Sequence, residues 1–88
     1  MQKLTVHSKE ELKELIEVLM KYQGVDIDLN FIDVSQITDM SYLFFGSNFN
    51  GDISRWDVSK VENMERMFTF SKFKGDISGW NIKADCKR

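Results

Sequence analysis

Apolar residues recur along this chain at a fixed spacing of 24. Leu29, Ile32 and Val34 are answered by Ile53, Trp56 and Val58, and these by Ile77, Trp80 and Ile82. Each trio has the spacing L-x-x-L-x-L, the pattern of the strand half of a leucine-rich repeat. Between the trios, Ile37, Met40, Leu43 and Phe44 correspond to Val61, Met64, Met67 and Phe68. Their spacing of three and four predicts a short helix in each unit. Ser59-Lys60-Val61-Glu62 has the form of a capping box for the second of these. Phe49 and Phe73 then turn inward before Gly51-Asp52 and Gly75-Asp76, which read as turns. The chain has no proline, so glycine and aspartate supply the punctuation.

The N-terminal segment differs. Leu4 and Val6 alternate with polar residues and predict a short strand. Ser8-Lys9-Glu10-Glu11 is a capping box, and Leu12, Leu15, Ile16 and Leu19 form one apolar stripe. Gly24 is the stop signal, so the longest helix is expected over Lys9–Tyr22. Subtracting 24 from Met40, Leu43 and Phe44 gives Ile16, Leu19 and Met20, all apolar. The segment therefore reads as a modified zeroth repeat whose outer face is charged (Lys9, Glu10, Lys13, Glu14, Glu17), as the cap of a solenoid must be.

The period also holds at the level of identity: Asp33–Ser54 and Asp57–Ser78 agree at eleven of twenty-two positions. Each such unit buries its apolar face only against its neighbours. The expected fold is an α/β repeat, a short right-handed leucine-rich-repeat-like solenoid with a strand plus a short helix per 24-residue unit and an N-terminal capping helix. One domain is expected over residues 1–88, with the cap at 1–24, repeats at 25–83 and a tail at 84–88.

The strings VSQITDMSYLF, FNGDISRWDVSKVENMERMF and FKGDISGWNIK resemble BspA-like leucine-rich repeats, known from surface proteins of the Mycoplasma and Bacteroides type and widespread in bacteria and their phages. The resemblance covers about Gly24 to Lys83. It implies a non-catalytic protein; the large secreted members act in adhesion. This chain has barely two full repeats and no export signal, so protein binding carries over better than adhesion.

Size and charge narrow the classes further. At 88 residues the core is small, and Cys86, the single cysteine, excludes an internal disulfide. Residues 1–7 lack the apolar run of a signal peptide, and no stretch could span a membrane, so a cytoplasmic location is expected. The net charge of −2 has the wrong sign for a nucleic-acid binder. Lys72, Lys74, Lys83, Lys87 and Arg88 make the last third basic, but aspartates interleave with them.

Reactive chemistry is sparse. His7 is the only histidine and lies outside the repeats, far along the chain from Cys86, so no nucleophile–base pair is expected. No phosphate loop or zinc-spaced set occurs. Asp28, Asp52 and Asp76 recur every 24 residues, as do Asp33, Asp57 and Asn81. Stacked carboxylates could hold Ca²⁺, or each aspartate could bond the backbone amides of its own turn. The second reading explains why the residue recurs in every unit. No enzyme activity, cofactor or metal is expected.

The repeat itself sorts the aromatics. Positions apolar in each copy (Phe44, Phe68, Phe49, Phe73, Trp56, Trp80) belong to the stack. Phe31, Tyr42, Phe45 and Phe70 are unmatched, facing Arg55, Arg66, Thr69 and Gly46 in the other copy. Phe31, Asp33, Arg55 and Asp57 are expected on the outward strand face, and Tyr42, Phe45, Arg66 and Phe70 on or just after the helices. Together they form the candidate partner-binding set, since Tyr, Trp and Arg dominate interface hot spots. Trp80 and Ile82 are a second candidate: the strand carrying them would present an open edge for self-association, including a homodimer through the C-terminal end.

The expected function is a protein-binding module. Its most specific form is a small phage-type inhibitor of a bacterial immune effector complex, like an anti-CRISPR protein, by analogy of size and family setting. The alternative is a self-assembling, scaffold or adhesion-type module.

Overall fold

The computed structural model describes residues 3–88; residues 1 and 2 of the expected cap lie outside them. Its regular elements are β1 (Leu4–Thr5), α1 (Lys9–Gln23) and β2 (Ile32–Asp33). The capping box forms at α1: Ser8 Oγ accepts the Glu11 N–H at 3.1 Å, and Glu11 Oε1 accepts the His7 N–H at 2.7 Å. Gly24, at φ 97°, ends the helix and donates its N–H to the Met20 carbonyl at 2.9 Å. Leu12 and Ile16 are buried beneath the helix, while Leu15, Leu19 and Met20 pack at its margin.

The cap is not offset by 24. β1 and β2 run parallel with Leu4 opposite Ile32 and Thr5 opposite Asp33, a separation of 28. A full helix of 15 residues replaces the shorter second half of a unit, and the longer offset accommodates it. Lys9 ties α1 to the first unit, its Nζ donating to Asp39 Oδ2 at 3.2 Å and Ser41 Oγ at 3.0 Å.

Beyond the cap, the chain lies against itself in parallel register at a period of 24: Asp28 bridges Asp52, Asp39 bridges Asn63, and Asn63 bridges Lys87. Equivalent aromatics stack between units. Phe44 lies 5.7 Å from Phe68, Phe49 6.0 Å from Phe73, and Trp56 6.4 Å from Trp80, with interplanar angles of 5°, 7° and 13°. Each such pair contributes about 0.5–1.5 kcal/mol beyond its burial. The indoles also bond between units: Trp56 Nε1–H donates to the Leu29 carbonyl and Trp80 Nε1–H to that of Ile53, both at 2.9 Å. Phe44, Phe49, Trp56 and Trp80 are buried; Phe68 and Phe73, one unit on from Phe44 and Phe49, are only half-buried.

The expected short helices do not form. Residues 41–46 and 65–70 are runs of turns, and Tyr42, Arg66 and Phe70 have left-handed φ values of 61°, 53° and 59°. The reason lies in the backbone amides. The N–H groups of Met40, Tyr42, Phe44 and Gly46 donate to the next unit, at the carbonyls of Asn63, Glu65, Met67 and Thr69. The alternating N–H groups of Leu43, Phe45 and Ser47 close turns onto the carbonyls three residues back. A helix would turn nearly every amide inward and leave none to join the units. The result is a ribbon of turns with helix-like apolar spacing, and the Ser59–Glu62 box caps no helix. Ser59 instead donates its N–H and Oγ–H to Asp57 Oδ1.

The expected strands are likewise interrupted. In each L-x-x-L segment the third-residue spacing is a turn: Ile32, Trp56 and Trp80 donate their N–H to the carbonyls of Leu29, Ile53 and Ile77. Gly51 is required by close approach, since a Cβ there would lie 1.8 Å from the Ile27 carbonyl oxygen of the preceding layer.

Candidate protein-binding surface

Tyr42, Phe45 and Phe70 meet on the surface. The rings of Tyr42 and Phe45 lie 5.4 Å apart, and Phe70 meets Phe45 edge-on at 5.6 Å. They are 47%, 43% and 81% exposed. The turn ribbon brings them together, because residues two to three apart along it and 24 to 25 apart between units are neighbours. Arg66 stands one unit on from Tyr42 and is exposed.

Two of these rings are carried on unfavourable backbone. A left-handed residue with a Cβ costs about 1–2 kcal/mol, and such strain concentrates where a function holds it. At the place of Phe70 the first unit has Gly46, with φ 64°. The turn therefore suits glycine, and the second unit puts a large, exposed aromatic there.

The other four candidates form a separate group. Among the described residues, no ring contact or side-chain hydrogen bond joins them to the aromatic cluster. Phe31 is half-buried and packs against the core rather than standing outward. Asp33 Oδ1 accepts the Ser35 N–H at 3.0 Å, and its Oδ2 accepts Thr5 Oγ1 at 3.3 Å. Asp57 is exposed but engaged by Ser59, and Arg55 is exposed, its N–H donating to Asn30 Oδ1 at 2.8 Å. Hydrogen bonds from Ser35 and Ser59 hold the two carboxyls below the ordinary aspartate range.

The aspartate columns are turn fasteners. Asp28, Asp52 and Asp76 accept the N–H of Asn30, Ser54 and Ser78 at 2.8–2.9 Å. The Ser54 N–H and hydroxyl, with Asn30, lower Asp52 to about 2. Among the described residues, no cluster of three or more His, Cys, Asp or Glu could hold a metal ion. His7 sits beside Glu11 at the start of α1, while Cys86 is half-buried near the bridge of Lys87 to Asn63.

Of the self-association pair, Trp80 is 7% exposed and sits in the core with its indole bonded, so it offers no docking surface. Ile82 is half-buried and lines an open, largely apolar cavity of about 370 Å³ with Met64, Met67 and Phe68. Sequence reasoning missed Tyr22 and Val18, which are 74% and 49% exposed one turn apart on the charged face of α1. Their spacing of four was the available signal.

The family model described as a Mycoplasma protein of unknown function, DUF285, matches residues 7–87. The chain belongs to this family. No curated protein and no solved structure matches it. The DUF285 match takes in α1 as well as both units, so cap and repeats fall within one family span. Among the described residues of this DUF285 protein, no helix is long and apolar enough to cross a membrane.

Proposed function

We propose that this chain is a non-catalytic protein-binding module, a short capped solenoid of the BspA-like leucine-rich-repeat kind, that holds a partner protein at Tyr42, Phe45 and Phe70. The single observation that carries the binding reading is Phe70: 81% exposed, in contact with Phe45, on a left-handed backbone where the equivalent residue is glycine. Packing does not need this ring, and the backbone disfavours it. Arg66 at the margin adds the residue type that accompanies aromatic anchors in hot spots. The solenoid reading is supported by the 24-residue parallel bridges and the aromatic stacks. An inhibitor that occludes a larger complex, the anti-CRISPR-like form of the proposal, would use this same patch.

The test is retention of a partner by wild type, by a Tyr42→Ala/Phe45→Ala/Phe70→Ala variant and by an Arg55→Ala/Asp57→Ala variant, each shown folded by circular dichroism. Loss of the partner in the first variant alone is the expected result. Equal retention by all three would remove the patch from the account.

A further inference from the structure

Apart from that patch, we infer that Asn50–Gly51 is a site of spontaneous deamidation that the stack holds closed. A transient parting of the layers there becomes a permanent loss of the fold. The reaction needs no co-reactant but water. The Gly51 amide nitrogen gives up its proton and attacks Asn50 Cγ, closing a five-membered succinimide. The Cγ–Nδ2 bond breaks, and the side-chain nitrogen takes up the proton and leaves as ammonia. Water then opens the ring at either carbonyl, leaving aspartate or isoaspartate. A side chain on the following residue obstructs the attack, so glycine there permits it best. Of the five asparagines, Asn30, Asn48, Asn63 and Asn81 precede Phe31, Phe49, Met64 and Ile82, and Asn50 alone precedes glycine.

The neighbouring layers hold the reacting groups apart. Asn50 is exposed, and among the described residues the Gly51 N–H has no hydrogen-bond partner, so neither burial nor a bond to the nucleophile protects the pair. The protection comes from position. The Asn50 N–H donates to the Val25 carbonyl of the preceding layer at 2.7 Å, and Asn50 Oδ1 accepts the Lys74 N–H of the next at 2.8 Å. Gly51 lies so close to the Ile27 carbonyl that a Cβ would meet its oxygen at 1.8 Å. Bringing the Gly51 nitrogen onto Cγ means turning the Asn50 backbone and swinging its carboxamide back, which breaks contacts on both sides. The reaction therefore waits on local opening, and its rate follows the population of the open form. The two products then part ways. Aspartate keeps the backbone length and an oxygen for the Lys74 N–H. Isoaspartate routes the chain through the former side chain, adding a backbone bond of about 1.5 Å where Gly51 has no room. A chain carrying it cannot close the layers again, which makes the opening irreversible.

The experiment incubates the full chain at mildly alkaline pH in buffer, in sub-denaturing urea and in denaturing urea. Conversion is followed by peptide mapping and by isoaspartyl methyltransferase labelling. In denaturing urea Asn50 is expected to convert well ahead of the other asparagines. Asn50→Gln, whose longer side chain cannot close the five-membered ring, should suppress it. In buffer the rate is expected to be lower by about tenfold or more, rising as sub-denaturing urea opens the layers. After dilution from urea, the isoaspartate fraction should fail to regain the circular dichroism of the fold, and an Asn50→Asp chain should regain it. Equal rates in buffer and in denaturing urea, or earlier conversion at another asparagine, would overturn the inference. Refolding of the isoaspartate chain, or failure of Asn50→Asp to fold, would detach the loss of fold from the added backbone bond and overturn it equally.

Discussion

Gly46 and Phe70 occupy the same place in successive units, with φ of 64° and 59°, and only one of them suits it. The conformation favours glycine because a Cβ crowds the following carbonyl oxygen. Phe70→Gly is therefore expected to leave the protein at least as stable as wild type, with a gain of up to about 1 kcal/mol in urea unfolding. The same substitution is expected to abolish partner retention. A gain in stability joined to a loss of binding would mark Phe70 as kept for contact rather than for folding. A loss of 2 kcal/mol or more would make it a structural residue.

The converse substitution tests the stack. A Cβ at Gly51 would lie 1.8 Å from the Ile27 carbonyl oxygen, and 2.8 Å from its carbonyl carbon and from the Phe49 ring. These are atoms of buried or backbone groups that cannot step aside without opening the interval between layers. Gly51→Ala is expected to cost about 3 kcal/mol or more, in the range of overpacked cores. At Gly79 nothing lies within 4 Å of the added atom. Gly79→Ala should fall within about 0.5 kcal/mol of wild type, and chemical denaturation of the pair measures the difference.

What the sequence made legible was the register. Equivalent residues at Phe44 and Phe68, or Trp56 and Trp80, stack because the chain returns to the same place after 24 residues. The Ser8 cap and the Gly24 stop were readable for a similar reason: their bonds are local and reach three or four residues. The ribbon at 41–46 was not readable as turns. Its apolar positions fall three and four apart, as in a helix, and only the bonds of Tyr42 and Phe44 to the second unit distinguish the two. Those bonds are long-range and have no periodic signature of their own. At the site, the unmatched Tyr42, Phe45 and Phe70 were visible as departures from the repeat. Phe31 was also a departure, yet it packs inward, because β1 lies against its layer and Leu4 bonds its carbonyl.

Trp56 carries two unlike loads. It is 3% exposed between Phe44 and Trp80, and its indole N–H satisfies the Leu29 carbonyl in the preceding layer. Trp56→Phe removes volume and one of the two hydrogen bonds that the Leu29 carbonyl accepts, the Ile32 N–H remaining, which together should cost about 1.5–3 kcal/mol. The midpoint of urea unfolding would fall accordingly. A change below about 1 kcal/mol would show that the interlayer bond is replaced by water.

Acid should loosen the turns before anything else. The carboxyls of Asp33, Asp52, Asp57 and Asp76 are lowered chiefly by bonds from Ser35, Ser54, Ser59 and Ser78. At Asp39 burial pushes upward, but the bonds from Ser41 and Lys9 outweigh it. A group whose folded pKa lies below its unfolded value adds stability above the unfolded value, here 3.8, and loses it as pH falls through the folded value. Stability should thus be flat above about pH 5 and decline below about 4, with the Asp52 contribution fading down to about 2. Asp52→Asn keeps an oxygen to accept the Ser54 N–H and removes the titrating proton. Its unfolding free energy, followed from pH 6 to pH 2, should fall less steeply than that of wild type. Parallel curves for the two proteins would mean that Asp52 does not couple folding to acid, and that the remaining turn aspartates set the decline.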